Sequence, residues 1–270
     1  MRIDGKQIVV TGASSGIGRA LALELAGRGA ALTLAARRRE LLESAAREIA
    51  GRFPTATTPT VVQCDVGAPV DVSTLIGGTV ERQGDIDVLI NNAGISAFGE
   101  AKRTTLDDYS EIMRVNFLGA VNCTLEALPF MLRRGSGLIV NVATVAALHG
   151  VPYLAAYGAS KAALVAFSQS LRAELTGTGV RVMSVYPGYT RTEIFDVERT
   201  VGGARRPPVR YAEPERVARA IARGIEADRR EVYLTLSGRL LGILRGAAPL
   251  IVEIAMRRMA REQRDTDSTS

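Results

Sequence analysis

Seven short runs of apolar residues, unbroken rather than alternating, most tightly limit how this chain can fold. They are Gln7–Thr11, Ala31–Ala36, Thr60–Cys64, Asp87–Ile90, Gly137–Val142, Val180–Tyr186 and Glu231–Leu234. A strand with one wet face alternates polar and apolar residues; an unbroken run has both faces covered. Between these runs lie stretches with helical periodicity: Arg19–Arg28, an Arg/Glu-rich stretch through Ala50, Val70–Gln83, Asp107–Arg133, Tyr153–Leu175 and Pro214–Ala227. Strand alternating with helix predicts βαβ units, hence an α/β protein with a doubly wound parallel sheet of about seven strands. No Pro/Ser-rich linker or internal repeat divides the 270 residues, which suit one large domain. We expect that domain over 1–236, including an irregular polar loop at 189–210. An amphipathic extension over 237–262 and a disordered tail over 263–270 should follow.

Charge and composition exclude several function classes. Net charge is +6 and the pI is near 9.7, but the Lys and Arg residues are scattered and no basic stretch carries interleaved aromatics. Nucleic acid is therefore not an expected partner. Cys64 and Cys123 have no Cys or His at ligand spacing, and His149 is the single histidine, so no metal site is expected. The N-terminus enters a strand without a charged segment and long apolar run before it, which points to a cytoplasmic location.

The first strand runs into Thr11-Gly12-Ala13-Ser14-Ser15-Gly16-Ile17-Gly18, and a helix follows. Glycines there let the backbone approach a pyrophosphate, and the helix N-terminus offers free N–H groups and positive potential. Gly12, Ser14, Ser15, Gly16, Ile17 and Gly18 are thus expected to bind a dinucleotide. The end of the second strand selects which one. An acidic residue there would bind the ribose 2′-hydroxyl of NAD, whereas this chain has Ala36-Arg37-Arg38-Arg39. Arg37, at the strand tip, can pair with a 2′-phosphate, while Arg39 reads as the start of a solvated helix. The expected cofactor is NADP(H).

Tyr157 and Lys161 lie four apart near the start of a long helix and so share one face. An ammonium beside a phenol stabilises the phenolate, and a tyrosine tuned in this way can exchange a proton with a substrate oxygen. By itself this pair is a weak signal. In order along the chain, however, stand Thr11-Gly12-x-x-x-Gly16-x-Gly18, Asp65, Asn91-Asn92-Ala93-Gly94, Asn116, Tyr157/Lys161 and Pro187-Gly188. Over about residues 5–235 this set resembles the short-chain dehydrogenase/reductase family. The resemblance implies a Rossmann fold and a hydride transfer between the nicotinamide and a carbonyl or alcohol carbon. It further implies Tyr157 as acid/base, Lys161 as its tuner and holder of the nicotinamide ribose, and Asn116 in a water-mediated proton relay. Asp65 and Val66 would meet the adenine. Asn92, Ala93 and Gly94 would lie under the cofactor, with Pro187, Gly188, Thr190 and Thr192 around the nicotinamide. One position departs from the family pattern. Thirteen residues before the tyrosine, where a serine usually orients the substrate, stands Thr144. It keeps the hydroxyl but adds a methyl that stiffens the rotamer and crowds the site.

Substrate contacts should come from beyond the strand ends at Val142 and Tyr186. Thr144, Ala146, Leu148, Tyr153, Tyr157 and Tyr189 are the expected substrate residues, with Val151, Leu154, Ile194 and Phe195 adding apolar surface. Glu193 and Asp196 read as facing water. The pocket therefore suits a hydrophobic, lipid- or steroid-like carbonyl or alcohol. Gly202-Gly203 and Pro207-Pro208 mark 189–210 as a mobile lid. Apolar residues over 240–259 gather on one helical arc opposite Arg245, Glu253 and Arg257, with Pro249 interrupting. That helix would be a lid or oligomer contact, or would lie peripherally on a membrane. A homodimer or homotetramer is expected by family resemblance. Two other function classes remain: an idle NADP(H) sensor, and a nucleotide-sugar epimerase or dehydratase on the same fold.

Overall fold

In the computed structural model, the structure describes residues 1–192, 199–201 and 211–235, and positions 238, 240, 250, 253, 254, 256–258 and 260. The readings made for Glu193, Ile194, Phe195, Asp196, Gly202-Gly203, Pro207-Pro208, most of 240–259 and the tail lie outside these residues.

The chain runs β1 (Gln7–Thr11), α1 (Gly16–Ala26), β2 (Ala31–Ala36), α2 (Arg39–Arg52), β3 (Thr60–Gln63), α3 (Pro69–Gln83), β4 (Val88–Asn91), β5 (Ala97–Gly99) and α4 (Leu106–Met113). A π-helix, Arg114–Leu118, leads into α5 (Gly119–Arg134), followed by β6 (Gly137–Val142), a 3-10 turn (Val145–Ala147) and α6 (Ala155–Glu174). Then come β7 (Val180–Tyr186), β8 (Arg199–Val201), α7 (Pro214–Glu226) and β9 (Glu231–Tyr233). Seven of these strands form one parallel sheet, ordered β3-β2-β1-β4-β6-β7-β9.

The unbroken apolar runs have the predicted consequence. Ile8 and Val10 of β1 and Val140 and Val142 of β6 pack on one face with α1, α2 and α7. Val9 of β1 and Ile139 of β6 pack on the other face with α3, α5 and α6. Successive strand residues point to opposite faces, so a sheet covered on both sides needs both sets apolar. Strand order reverses between β1 and β4, and the crevice at the carboxyl ends there is where open α/β sheets take ligands.

Three features differ from the sequence reading. The stretch expected as one helix, Asp107–Arg133, is α4 and α5 joined by the π turn. Arg114 and Asn116 lie in that turn, where Arg114 reaches Asp65 and Asn116 reaches Ile95. The α6 helix begins at Ala155, because Tyr153 takes φ 65 and cannot be helical. Finally, β5 and β8 form a separate two-stranded parallel sheet. Three residues each are too few to show a period.

Candidate active site

The glycine turn is held by hydrogen bonds from β4. Thr11 Oγ1 donates to the Ile90 carbonyl (3.1 Å) and accepts from the N–H groups of Asn92 (3.0 Å) and Ala93 (3.1 Å). Asn92 Nδ2 donates back to the carbonyls of Thr11 (3.0 Å) and Gly12 (3.2 Å). At Gly12, φ is 65 and a Cβ would stand 2.8 Å from Ala93 Cα. At Gly18 a Cβ would collide with the Gly12 carbonyl oxygen, so close helix–strand contact requires a glycine there. Ser15, the N-cap of α1, makes no side-chain capping bond. The first-turn N–H groups are thus not satisfied by that side chain, and the backbone is shaped to receive an anion.

A cleft of about 300 Å3 opens above this turn. Of the expected cofactor residues, Gly12, Ser14, Ser15, Gly16, Ile17, Arg37, Asp65, Val66, Asn92, Ala93 and Gly94 line it. So do Tyr157, Lys161, Pro187, Gly188, Thr190 and Thr192, together with Thr144. Thr192 closes over the turn: a Cβ on Gly16 would lie 2.8 Å from its Cγ2. The cleft therefore joins the glycine turn to the Tyr/Lys pair.

The far end is charged. Arg38, which the sequence reading passed over, also lines the cleft, and its guanidinium donates to Ser14 Oγ (3.3 Å) and Ser15 Oγ (2.9 Å). Arg39 points away and pairs with Glu43 at 2.8 Å. Among three successive arginines, the backbone path after β2 turns Arg37 and Arg38 toward the cleft and Arg39 away from it. Asp65 Oδ2 accepts from Arg114 (3.0 Å) and Oδ1 from the Gly67 N–H (2.9 Å). Partial burial raises the Asp65 pKa, but these bonds and the charges of Arg114 and Arg37 outweigh it and hold the carboxyl below its usual range. Arg114 also pairs with Glu111 at 2.6 Å; nothing in the sequence marked it.

At the other end, Lys161 is 3% exposed and its Nζ donates to the Val142 carbonyl at 2.8 Å. Burial pushes its pKa down from 10.5 to about 8. Asn116 lies behind the cleft wall rather than on it. Its Oδ1 accepts from Ile95 N (2.8 Å), and its Nδ2 donates to the Ile95 carbonyl (2.9 Å) and to Ser160 Oγ (3.0 Å). Ser160 Oγ in turn donates to the Tyr157 carbonyl (2.8 Å). Gly94 leaves room here: a Cβ would come within 3.2 Å of Asn116 Oδ1 and 3.4 Å of Lys161 Nζ. The Thr144 hydroxyl accepts from Ala146 N (3.3 Å) and donates to the Pro187 carbonyl (3.4 Å).

Other expected substrate residues are not brought to the cleft wall. Ala146 and Leu148 are buried, Tyr153 stacks on Phe98 (5.5 Å between ring centroids), and Tyr189 meets Tyr211 edge-on at 6.2 Å. Val151, Leu154 and Tyr153 form a small apolar cluster with Phe98 and Tyr157. Among the described residues, no group of three His, Cys, Asp or Glu side chains is placed to hold a metal.

Comparison with known proteins places this geometry. The family model described as short chain dehydrogenase matches residues 6–201. A "Dehydrogenase/reductase SDR family protein 7-like" of Anopheles gambiae is 35% identical, with 98% of this chain and 86% of that protein covered. The crystal structure of a short chain dehydrogenase/reductase from Burkholderia phymatum in complex with NAD is similar, with a TM-score of 0.81 and 28% identity over 92% of this chain and 95% of that one. An alcohol dehydrogenase from Thermococcus sibiricus complexed with 5-hydroxy-NADP has a TM-score of 0.76 and 28% identity, covering 85% of this chain and 96% of that one.

Proposed function

This chain belongs to the short-chain dehydrogenase family of oxidoreductases, and on that premise we propose that it is an NADP(H)-dependent reductase or dehydrogenase acting on a hydrophobic carbonyl or secondary alcohol. The observation that carries the reading is the meeting of Tyr157 and buried Lys161 with the glycine turn in one cleft. The cleft fits a nicotinamide dinucleotide: the uncapped N-terminus of α1 and the glycine turn suit the pyrophosphate, and Lys161 with Asn92 to Gly94 borders the ribose end. The chemistry supplied by the bound cofactor is hydride transfer to or from the substrate carbon.

The chain's own residues handle the proton. In reduction, Tyr157 gives its phenolic proton to the substrate oxygen as that oxygen gains charge, and in oxidation it takes the proton back. Lys161, held by Val142, sets a positive charge in a dry site, where it favours the phenolate. Thr144 turns its hydroxyl from the long bond to the Pro187 carbonyl to the same substrate oxygen, the grip on which is the altered part of this site. Asn116 and Ser160 hold the tyrosine's helix against the end of β4. For the choice of NADP(H), Arg37 and Arg38 both border the cleft where an acid would otherwise favour NAD. The apolar side chains of Ile95, Val142 and Ala143 on the cleft wall support a hydrophobic substrate. Exposed Leu118, Leu125 and Leu132 recur every seven residues, which supports a homodimer or homotetramer contact. Exposed Leu250 and Ile254 support a surface contact for the 240–259 segment, with protein or membrane.

A Tyr157→Phe variant tests the proposal. It should bind NADPH as the parent does, while NADPH oxidation with aliphatic ketones falls by at least about a hundredfold. Undiminished turnover would remove Tyr157 as the proton donor; no turnover by the parent on any ketone would favour the sensor reading.

A further inference from the structure

The small sheet missed by the sequence reading stands beside Tyr157. Strand β5 pairs in parallel with β8 and lies apart from the seven-stranded sheet. Gly99 at the end of β5 takes no positive φ, so conformation does not require a glycine there. Space does: a Cβ at 99 would stand 2.6 Å from Val201 Cβ and 2.7 Å from the Val201 carbonyl oxygen. On its other side, the Gly99 N–H donates to the Tyr153 carbonyl at 2.9 Å. Residue 99 therefore touches β8 and the entry to α6 at once.

Tyr153 is itself held in an unfavourable state. Its φ of 65 is rare for a bulky residue, and such conformations persist only where surrounding contacts impose them. Two contacts do so here: the bond from Gly99, and a stack on Phe98 with the rings 20° from parallel. Phe98 is buried and forms one cluster with Leu154, Val151, Tyr153 and Tyr157. A second route runs from Val201, which packs with Ala97, Ile112 and Ala156, the residue before Tyr157.

We propose that β5 is a clamp joining β8 to the start of α6, with Gly99 and Tyr153 as positioning residues for the substrate side of the Tyr157 site. The proposal rests on the oxidoreductase reading only for the word substrate; the mechanical link stands on the contacts alone. Displacing β8 moves the apolar cluster packed against Tyr157. The strands beneath the glycine turn, β1, β2 and β4, belong to the other sheet and do not pair with β8.

Gly99→Val in the full chain is the primary test, with Gly150→Ala as control, since Gly150 is exposed and a Cβ there meets nothing within 4 Å. Amide hydrogen exchange is read without cofactor. Exchange over residues 97–101, 151–157 and 199–201 should quicken by at least about tenfold in Gly99→Val, with β1 and β4 unchanged. NADPH affinity should hold within about twofold, and KM for 2-octanone should rise by about tenfold with kcat little altered. Unchanged exchange at 151–157 would overturn the clamp. Should Gly99→Val lose protection across the whole sheet, Tyr153→Ala and Tyr153→Phe decide. The alanine variant should quicken exchange at 97–99 and 199–201 and the phenylalanine variant should not; parent-like exchange in Tyr153→Ala overturns the proposal. A parent protein inert toward every ketone and secondary alcohol would end the proposed activity, while the exchange data would still decide the clamp.

Discussion

Replacing Lys161 by methionine should make the cofactor-free protein more stable at pH 7 while abolishing turnover. Burial lowers the Lys161 pKa from 10.5 to about 8 with nothing but desolvation as the cause, so the folded state pays to keep the ammonium charged. At 1.36 kcal/mol per tenfold change in protonation, that is about 3 kcal/mol at neutral pH. The residue is 3% exposed, so solvent screening removes little of it. Methionine fills a similar volume with a flexible apolar chain. It forfeits the bond to the Val142 carbonyl, worth about 1 kcal/mol, leaving a net gain of about 2 kcal/mol. The pH dependence carries the proof. Below about pH 8 both states of the parent hold the proton and the burial cost is present in full. Between about 8 and 10.5 the folded state releases it first, the unfolded chain holds more protons, and parent stability rises with pH. By pH 10 the parent should have recovered most of this cost and the two proteins should nearly coincide. Urea denaturation of both at pH 7 and pH 10 measures this. A methionine variant less stable than the parent at pH 7, or a gap that does not change with pH, would refute the argument that Lys161 is a desolvated cation.

Two other substitutions probe the ends of the cleft. Arg37→Ala and Arg38→Ala should each weaken NADPH binding by about tenfold or more, the loss of one charge-assisted hydrogen bond, and leave NADH binding nearly unchanged; fluorescence titration showing equal losses for both nucleotides would take the 2′-phosphate role from them. Thr144→Ser should keep or raise kcat by removing the crowding methyl, and Thr144→Ala should lower it by about a hundredfold, as for loss of one donor to a reacting oxygen; an alanine variant with parental kcat would show that the Thr144 hydroxyl serves only the Ala146 and Pro187 contacts.

Much of the site was legible because its parts are local. The turn from Thr11 to Gly18 needs residues of particular conformational freedom at adjacent positions, and Tyr157 and Lys161 need only one turn of one helix to share a face. What was illegible depends on partners far away in the chain. Arg114 reaches Asp65 across 49 positions, and Ser160 reaches Asn116 across 44. Nothing near either residue signals the other. Asn116 was assigned a place in the site, but its amide is spent on the backbone of Ile95 and on Ser160 rather than facing the cleft.

The sequence alone determined the sheet covered on both faces, the single domain and the order of the motifs, because period and turn chemistry act over a few neighbouring residues. Tertiary structure alone decided that Arg38 joins Arg37 at the cleft, that the helix through Asn116 carries a π turn, and that Gly99 is required by Val201 rather than by its own backbone. It also decided that Lys161 is stripped of water. Steric exclusion and desolvation depend on what is packed against a residue, and that is set only when segments distant in the chain have met.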